Sequence, residues 1–366
     1  MKGAGRVPQI MSVGTGIPEF SVTQTETMEF AKQLFSTSVK DLDRLLKVFH
    51  NGEIKKRHFV KDMDWYKQTH SFSEKNDAFI EAAVKLSIES INACLKSSML
   101  KQSVSYEEID AIFMICSTGL ATPSLEARIM NYLPFSEHTK RIPIWGLGCA
   151  GGAAGLARAH DYCKAFPKSK VLVVTIELCS LTFQKDDLSK SNLIGTSLFA
   201  DGAASVLLGG DEVEYLTYTS RPLPTIIDTQ STLMTASLDV MGWDIKDNGL
   251  YVVFSKSIPT LVENWFEPNV SKFLEKNNIT IADIEHFIAH PGGKKVISSY
   301  EKAFALSPEK TAISLHILSQ FGNMSSPTVL FVLQLFMEKE IRTGESGLIA
   351  ALGPGFSSEL LLVRWE

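Results

Sequence analysis

The chain has 366 residues, 45% hydrophobic and 21% charged, so it can bury a large core and is long enough for two domains or two halves of one. A formal net charge of -5 and a pI near 6.0 exclude a general polyanion binder, which carries a basic excess, and leave any phosphate recognition local. Residues 1–9 lack the apolar stretch of a secretory signal, and no apolar run nears the roughly 20 residues that span a bilayer. Cys94, Cys116, Cys149, Cys163 and Cys179 form no CxxC pair. The expectation is a reduced cytoplasmic protein with no nucleic-acid partner, no integral membrane association and no zinc site.

Along the chain, short β-rich runs alternate with longer helical patterns. Residues 111–116 and 171–176 read as buried strands and residues 258–276 as a helix, which predicts an α/β protein with covered sheets. No low-complexity linker interrupts it, and the best boundary follows Leu208-Gly209-Gly210, giving halves 1–210 and 211–366.

The halves echo one another. Tyr106-Glu107-Glu108-Ile109-Asp110 runs into the apolar 111–116 segment, and Ile281-Ala282-Asp283-Ile284-Glu285 runs into His286-Phe287-Ile288-Ala289-His290. Residues 142–148 lead to Cys149 and a run of small residues, as 313–321 lead through Gly322 to Asn323. Both polar residues are expected where a helix begins, each after a glycine that permits close backbone approach.

Cys149 sits in Gly148-Cys149-Ala150-Gly151-Gly152-Ala153-Ala154-Gly155. A buried cysteine is by itself a small apolar residue, but a helix N-terminus here would stabilise a thiolate. His290 follows an apolar strand and precedes Pro291-Gly292-Gly293, a strand-end turn of the kind that carries catalytic groups, although backbone groups can equally satisfy a lone histidine. Asn323, alone, reads as a helix cap. Together a thiol nucleophile, an imidazole and an uncharged amide donor supply what a decarboxylative condensation needs: the sulfur carries an acyl thioester, and two donors meet the oxygen that turns negative as carbon dioxide leaves.

On Gly148-Cys149-Ala150-Gly151-Gly152, Leu198-Phe199-Ala200-Asp201-Gly202, His290-Pro291-Gly292-Gly293, Gly322-Asn323-Met324-Ser325-Ser326 and Leu352-Gly353-Pro354-Gly355, the chain resembles a type III polyketide synthase. This is the chalcone-synthase-like branch of the thiolase superfamily, and the resemblance covers nearly the whole chain. It implies a thiolase-like fold, two pseudo-duplicated αβαβα halves forming a five-layered subunit, and a homodimer. It also implies an acyltransferase that loads an acyl group from acyl-CoA onto Cys149, extends it with malonyl-CoA and cyclises it, using both as substrates and no cofactor.

Several further positions come from the resemblance alone. Phe199 stands at the pocket mouth, and Val252 replaces a second gatekeeper aromatic, which would widen the junction with the coenzyme A tunnel. Thr122, Cys179, Thr182 and Trp243 line the pocket. Arg44 and Lys47 form a basic tunnel entrance whose third member is Asn51 here, with Lys295 as a substitute. Met241-Gly242-Trp243-Asp244 and residues 141–155 are most similar to Bacillus-type synthases that make alkylpyrones, as triketides or tetraketides, from long-chain acyl-CoA. The rival readings are an initiating ketoacyl-carrier-protein synthase, a hydroxymethylglutaryl-CoA-type synthase, for which no glutamate is placed near Cys149, and a non-catalytic acyl-binding protein of the same fold.

Overall fold

The computed structural model describes residues 7–35, 42–255 and 257–366, with the side chains of residues 35 and 42–45 outside that description. Its strands are β1 (Gln9–Gly16), β2 (Phe20–Thr23), β3 (Lys56–Phe59), β4 (Ile109–Cys116), β5 (Lys140–Trp145), β6 (Lys170–Leu178), β7 (Asp201–Gly209), β8 (Pro224–Leu233), β9 (Met241–Lys246), β10 (Gly249–Phe254), β11 (His286–Ala289), β12 (Ser346–Gly353) and β13 (Ser357–Trp365). Nine of them form one sheet in the order β11-β12-β13-β8-β1-β7-β6-β4-β5, while β2 pairs with β3 and β9 with β10.

The internal echo is a repeat of topology. In the first half β4 runs parallel to β5 and β6, and β7 is antiparallel to both β6 and β1. In the second half β11 is parallel to β12, and β13 is antiparallel to both β12 and β8. The halves join where Gln9 of β1 meets Thr225 of β8.

β6 and β7 are apolar almost without break, as strands covered on both faces must be. Helices Gly151–Ala165 and Thr328–Met337 form the middle layer, each touching strands of both halves. Helix Phe72–Leu95 covers β1, β6 and β7 on the outside. It starts at a Ser71–Glu74 capping box and buries Phe79, Ala83, Leu86, Ser90 and Cys94, the spacing of one helical stripe. A second core, with Phe266, Phe273, Phe287 and Tyr300, closes the far side. This is the expected α/β, thiolase-like layering. No helix among the described residues is long and apolar enough to cross a membrane.

Two local expectations are revised. Residues 258–276 are helical, but Val262–Phe266 is a π-turn directly before Pro268, where the wider turn accommodates a ring that would strike the carbonyl four residues earlier. The segment before Gly322 does not copy β5: Pro308–Phe321 is a helix burying Thr311, Ser314, Ile317 and Leu318, so the echo there is of position only.

The halves are also tied through Arg158 on the first middle-layer helix. Its Nη1 and Nη2 donate to the buried Glu359 carboxylate of β13 at 2.6 and 3.2 Å, and Ser231 of β8 donates to the same group at 2.6 Å. Arg158→Ala leaves that carboxylate without its counter-charge and should cost roughly 1–3 kcal/mol, at the lower part of the range for buried pairs because Arg158 is half-buried. A lowered urea midpoint measures it.

Candidate active site

Gly148 enters the Cys149 turn at φ +46, and a Cβ on it would lie 2.7 Å from Pro354 Cγ, so both conformation and space require glycine. Its N–H donates to Ser117 Oγ at 2.9 Å. The 3-10 turn Gly148–Ala150 then runs straight into helix Gly151–Ala165. Cys149 therefore stands at a helix start, as the small-residue run predicted.

Its electrostatics differ from the expectation. Burial pushes the Cys149 thiol up to about 11, and nearby Glu177 adds to the rise, against hydrogen bonds from Ser325 and Asn323.

Asn323 is not where a helix begins. It forms an isolated parallel bridge with Phe199: its N–H donates to the Leu198 carbonyl and its carbonyl accepts from Ala200 N–H, both at 2.9 Å. The next helix starts at Thr328. Its Oδ1 lies 3.9 Å from Cys149 Sγ and accepts from Ser325 N–H at 2.8 Å, while Nδ2 donates to the Gly292 carbonyl at 3.2 Å.

His290 continues the ladder past β11, with its N–H on the Ala350 carbonyl at 2.8 Å. It is buried, neither ring nitrogen has a partner among the described residues, and burial holds its pKa down to about 3. Thiol and imidazole are thus both neutral, and the imidazole keeps a free acceptor nitrogen. The segment Gly292-Gly293 joins His290 to Asn323 and also lines the larger cavity.

That cavity, about 470 Å³, is lined by Lys47, Asn51, Lys190, Phe254 and Lys295 among others. Lys47 and Lys295, two of the basic residues expected at a tunnel entrance, thus share one cavity, whereas the Arg44 side chain lies outside the described residues. Lys190 was not anticipated; an isolated lysine at a helix start carries no sequence signal. Lys294 also lines it and pairs with Glu53 at 3.3 Å.

A smaller inner cavity of about 50 Å³ is lined by Phe199, Val252, Cys179, Thr182, Arg57 and Phe30, among others. Trp243 does not line it but packs on Phe199, ring centres 5.7 Å apart, and Phe254 packs on Phe199 at 5.5 Å. The junction expected to be widened by Val252 is therefore filled by two other aromatics. Thr122, between β4 and β5, lines neither cavity.

Sequence reasoning missed Glu177. It is fully buried, and its carboxylate accepts from Ser117 N–H at 2.9 Å, Thr118 Oγ1 at 2.8 Å and Ser326 Oγ at 3.0 Å. It links the turn before Cys149 to the segment after Asn323, and burial pushes it up to about 7 despite those donors. A carboxylate is thus near Cys149 after all, but it is occupied as an acceptor. The available signal was an acid inside the apolar run 171–178.

Residues 2–212 match the family described as chalcone and stilbene synthases, N-terminal domain, and residues 226–365 the corresponding C-terminal domain. The chain is 53% identical to "Putative chalcone synthase" of Bacillus subtilis, over 98% of both chains. It is 27% identical to an alpha-pyrone synthesis polyketide synthase-like protein of Mycobacterium tuberculosis, over 97% of this chain and 91% of that one. Its fold superposes on 1,3,6,8-tetrahydroxynaphthalene synthase of Streptomyces coelicolor A3(2), a bacterial type III polyketide synthase, with TM-score 0.90 and 27% identity over 98% and 99% of the two chains.

Two outcomes test the electrostatics. Iodoacetamide alkylation of Cys149 at about pH 7.5 should slow roughly tenfold or more in His290→Ala, which lacks the proton acceptor, with the gap closing as pH nears the thiol's own value of about 11. For Glu177, the folded pKa of about 7 lies above the ordinary 4.5, so the native state holds its proton longer than the unfolded chain. That contribution is fully present below about pH 4.5 and lost as pH rises to about 7. Urea unfolding of Glu177→Gln, compared with the parent from about pH 4.5 to 8, should shift in the variant's favour as pH rises, by up to the order of 3 kcal/mol.

Proposed function

The chain belongs to the chalcone and stilbene synthase family of type III polyketide synthases, acyl-CoA condensing enzymes, and we propose that it extends a long-chain fatty acyl starter with malonyl-CoA to triketide or tetraketide alkylpyrones. The observation that carries the chemistry is Cys149 Sγ lying 3.9 Å from the Asn323 side chain, whose Nδ2 bonds the Gly292 carbonyl two residues beyond the buried His290, while Gly292 itself lines a lysine-bearing cavity. The pyrone product draws support from the mycobacterial relative named for alpha-pyrone synthesis.

In this reading Lys47, Lys190 and Lys295 hold the phosphates of coenzyme A at the entrance. Cys149 passes its proton to the neutral His290 as its sulfur attacks the starter thioester, and coenzyme A leaves as the thiol. Malonyl-CoA then binds; as its C–C bond breaks and carbon dioxide leaves, the electron pair moves onto the thioester oxygen, which His290 and the Asn323 amide stabilise. The resulting carbanion attacks the Cys149 thioester, restoring the sulfur and giving a longer ketoacyl-CoA. The apolar, closed surroundings favour the step, since a malonyl carboxylate leaving as neutral carbon dioxide gives up a charge that is costly to bury. Phe199, held against Asn323 by backbone, orients the malonyl group, and Cys179, Thr182, Val252 and Trp243 bound the space for the growing chain.

The protein acts as a cytoplasmic homodimer in this reading, without a cofactor. Edge strand β5, whose Trp145 is 45% exposed, is the place for a second copy to add, with Thr122 of the adjoining loop beside it.

Mass spectrometry after mixing the purified protein with palmitoyl-CoA and malonyl-CoA should find alkylpyrones without carrier protein and none with Cys149→Ala. Product only when malonyl-carrier protein is supplied would overturn the reading in favour of the carrier-dependent synthase.

A further inference from the structure

Arg57 lies in Ile54-Lys55-Lys56-Arg57, next to the lysines of the entrance, yet it points to a different use. Lys55 is exposed and Lys56 half-buried, whereas Arg57 is only 1% exposed and lines the inner cavity. Its Nη1 donates to the carbonyls of Thr196 and Phe199, both at 2.7 Å, so the cation sits on the C-terminal end of helix Lys190–Leu198. The guanidinium lies over the Phe59 ring, 5.3 Å from its centre. Its stem fills the space beside Gly322, where a Cβ would come within 2.7 Å of Arg57 Cγ.

Those two carbonyls flank the joint between Phe199 and Asn323. Leu198 and Ala200, the neighbours of Phe199, supply the acceptor and donor that grip the Asn323 backbone. The counter-charge, Asp201, makes its hydrogen bonds to Val60 N–H and to the N–H and hydroxyl of Ser180, so the donors of Arg57 are left for the carbonyls of the joint. Nε and Nη2 have no partner among the described residues. A buried cation with three of its five donors unused is a poor device for stability alone.

We propose that Arg57 is a positioning residue for decarboxylation: by holding Phe199 through the helix end, it fixes where the Asn323 amide meets the malonyl thioester oxygen. This rests on the condensation assigned above. It separates two partial reactions, because the Cys149 backbone is set by the Gly148 turn and not by the Phe199 joint.

The test uses full-length purified protein and measures carbon dioxide release from malonyl-CoA without starter alongside alkylation of Cys149 by iodoacetamide. Arg57→Met, which keeps the stem, should lower the decarboxylation kcat about 10–100-fold, with the malonyl-CoA KM and the alkylation rate within about threefold of the parent. Arg57→Lys, which can hold one carbonyl, should recover part of the loss and carries the test if Arg57→Met does not fold. Decarboxylation within about threefold of the parent in both variants overturns the proposal, as does a parallel fall of decarboxylation, alkylation and Tm in both. A parent protein that labels at Cys149 but releases no carbon dioxide defeats the condensation reading itself, and this inference with it.

Discussion

The site exists because two helix starts can approach at a distance only glycine allows. A Cβ on Gly152 would lie 2.3 Å from the Ser326 carbonyl oxygen, and one on Gly151 would touch Ile115 at 2.7 Å and Ser326 Cβ at 3.0 Å. This contact sets the start of the first middle-layer helix, which carries Cys149, against the segment that carries Asn323. The sulfur-to-amide distance of 3.9 Å follows from it. The end of β12 closes the other side, where a Cβ on Gly353 would meet Ala150 Cβ at 2.6 Å. Neither half of the chain contains the site; it is made where their layers touch, in a close-packed region with no slack to absorb a methyl group.

Closeness of that kind excludes water, and the electrostatics follow. Cys149 and Glu177 are raised and His290 is lowered by the same cause, burial. Asp201 is pushed up to about 6 and Arg57 down to about 9, each despite the opposite charge of the other. The resting site is thus biased to neutrality around the nucleophile. A neutral imidazole suits both proposed steps: it can accept the thiol's proton and return it to the departing coenzyme A, and its remaining N–H can donate to the enolate oxygen. Glu177 is tied to Ser117, Thr118 and Ser326 and serves to join the two sides of the site.

What the sequence made legible was local. Strands at 111–116 and 171–176 stand out because unbroken apolar runs mark strands covered on both faces, and Cys149 and His290 because glycines surround them. The neighbours of Asn323 mark it in the sequence but not its local structure, because its backbone is held by Leu198 and Ala200, more than a hundred residues away. Arg57, Glu177 and Lys190 were opaque for one reason. A charged residue in a sequence reads as a solvated face, and only the fold decides that one guanidinium lies under an active-site joint, one carboxylate inside a sheet and one lysine at a cavity rim.

Aromatic rings crowd the position of Val252. Val252 leaves room that an aromatic would fill, but Trp243 stands directly opposite it across the β9–β10 pair and Phe254 lies two residues further along β10, on the same face. Both rings pack on Phe199. The inner cavity of about 50 Å³, lined by Phe199 and Val252, lies against this aromatic cluster. The β9–β10 ribbon is not paired into the nine-stranded sheet, so a shift of the ribbon breaks no rung of the main ladder, on which His290 is held through Ala350. The rings that pack on Phe199 and the contact that sets Cys149 against the Asn323 segment therefore belong to mechanically separate parts of the fold: Trp243 and Phe254 ride on a two-stranded ribbon, and the glycine contact lies between two helix starts of the middle layer.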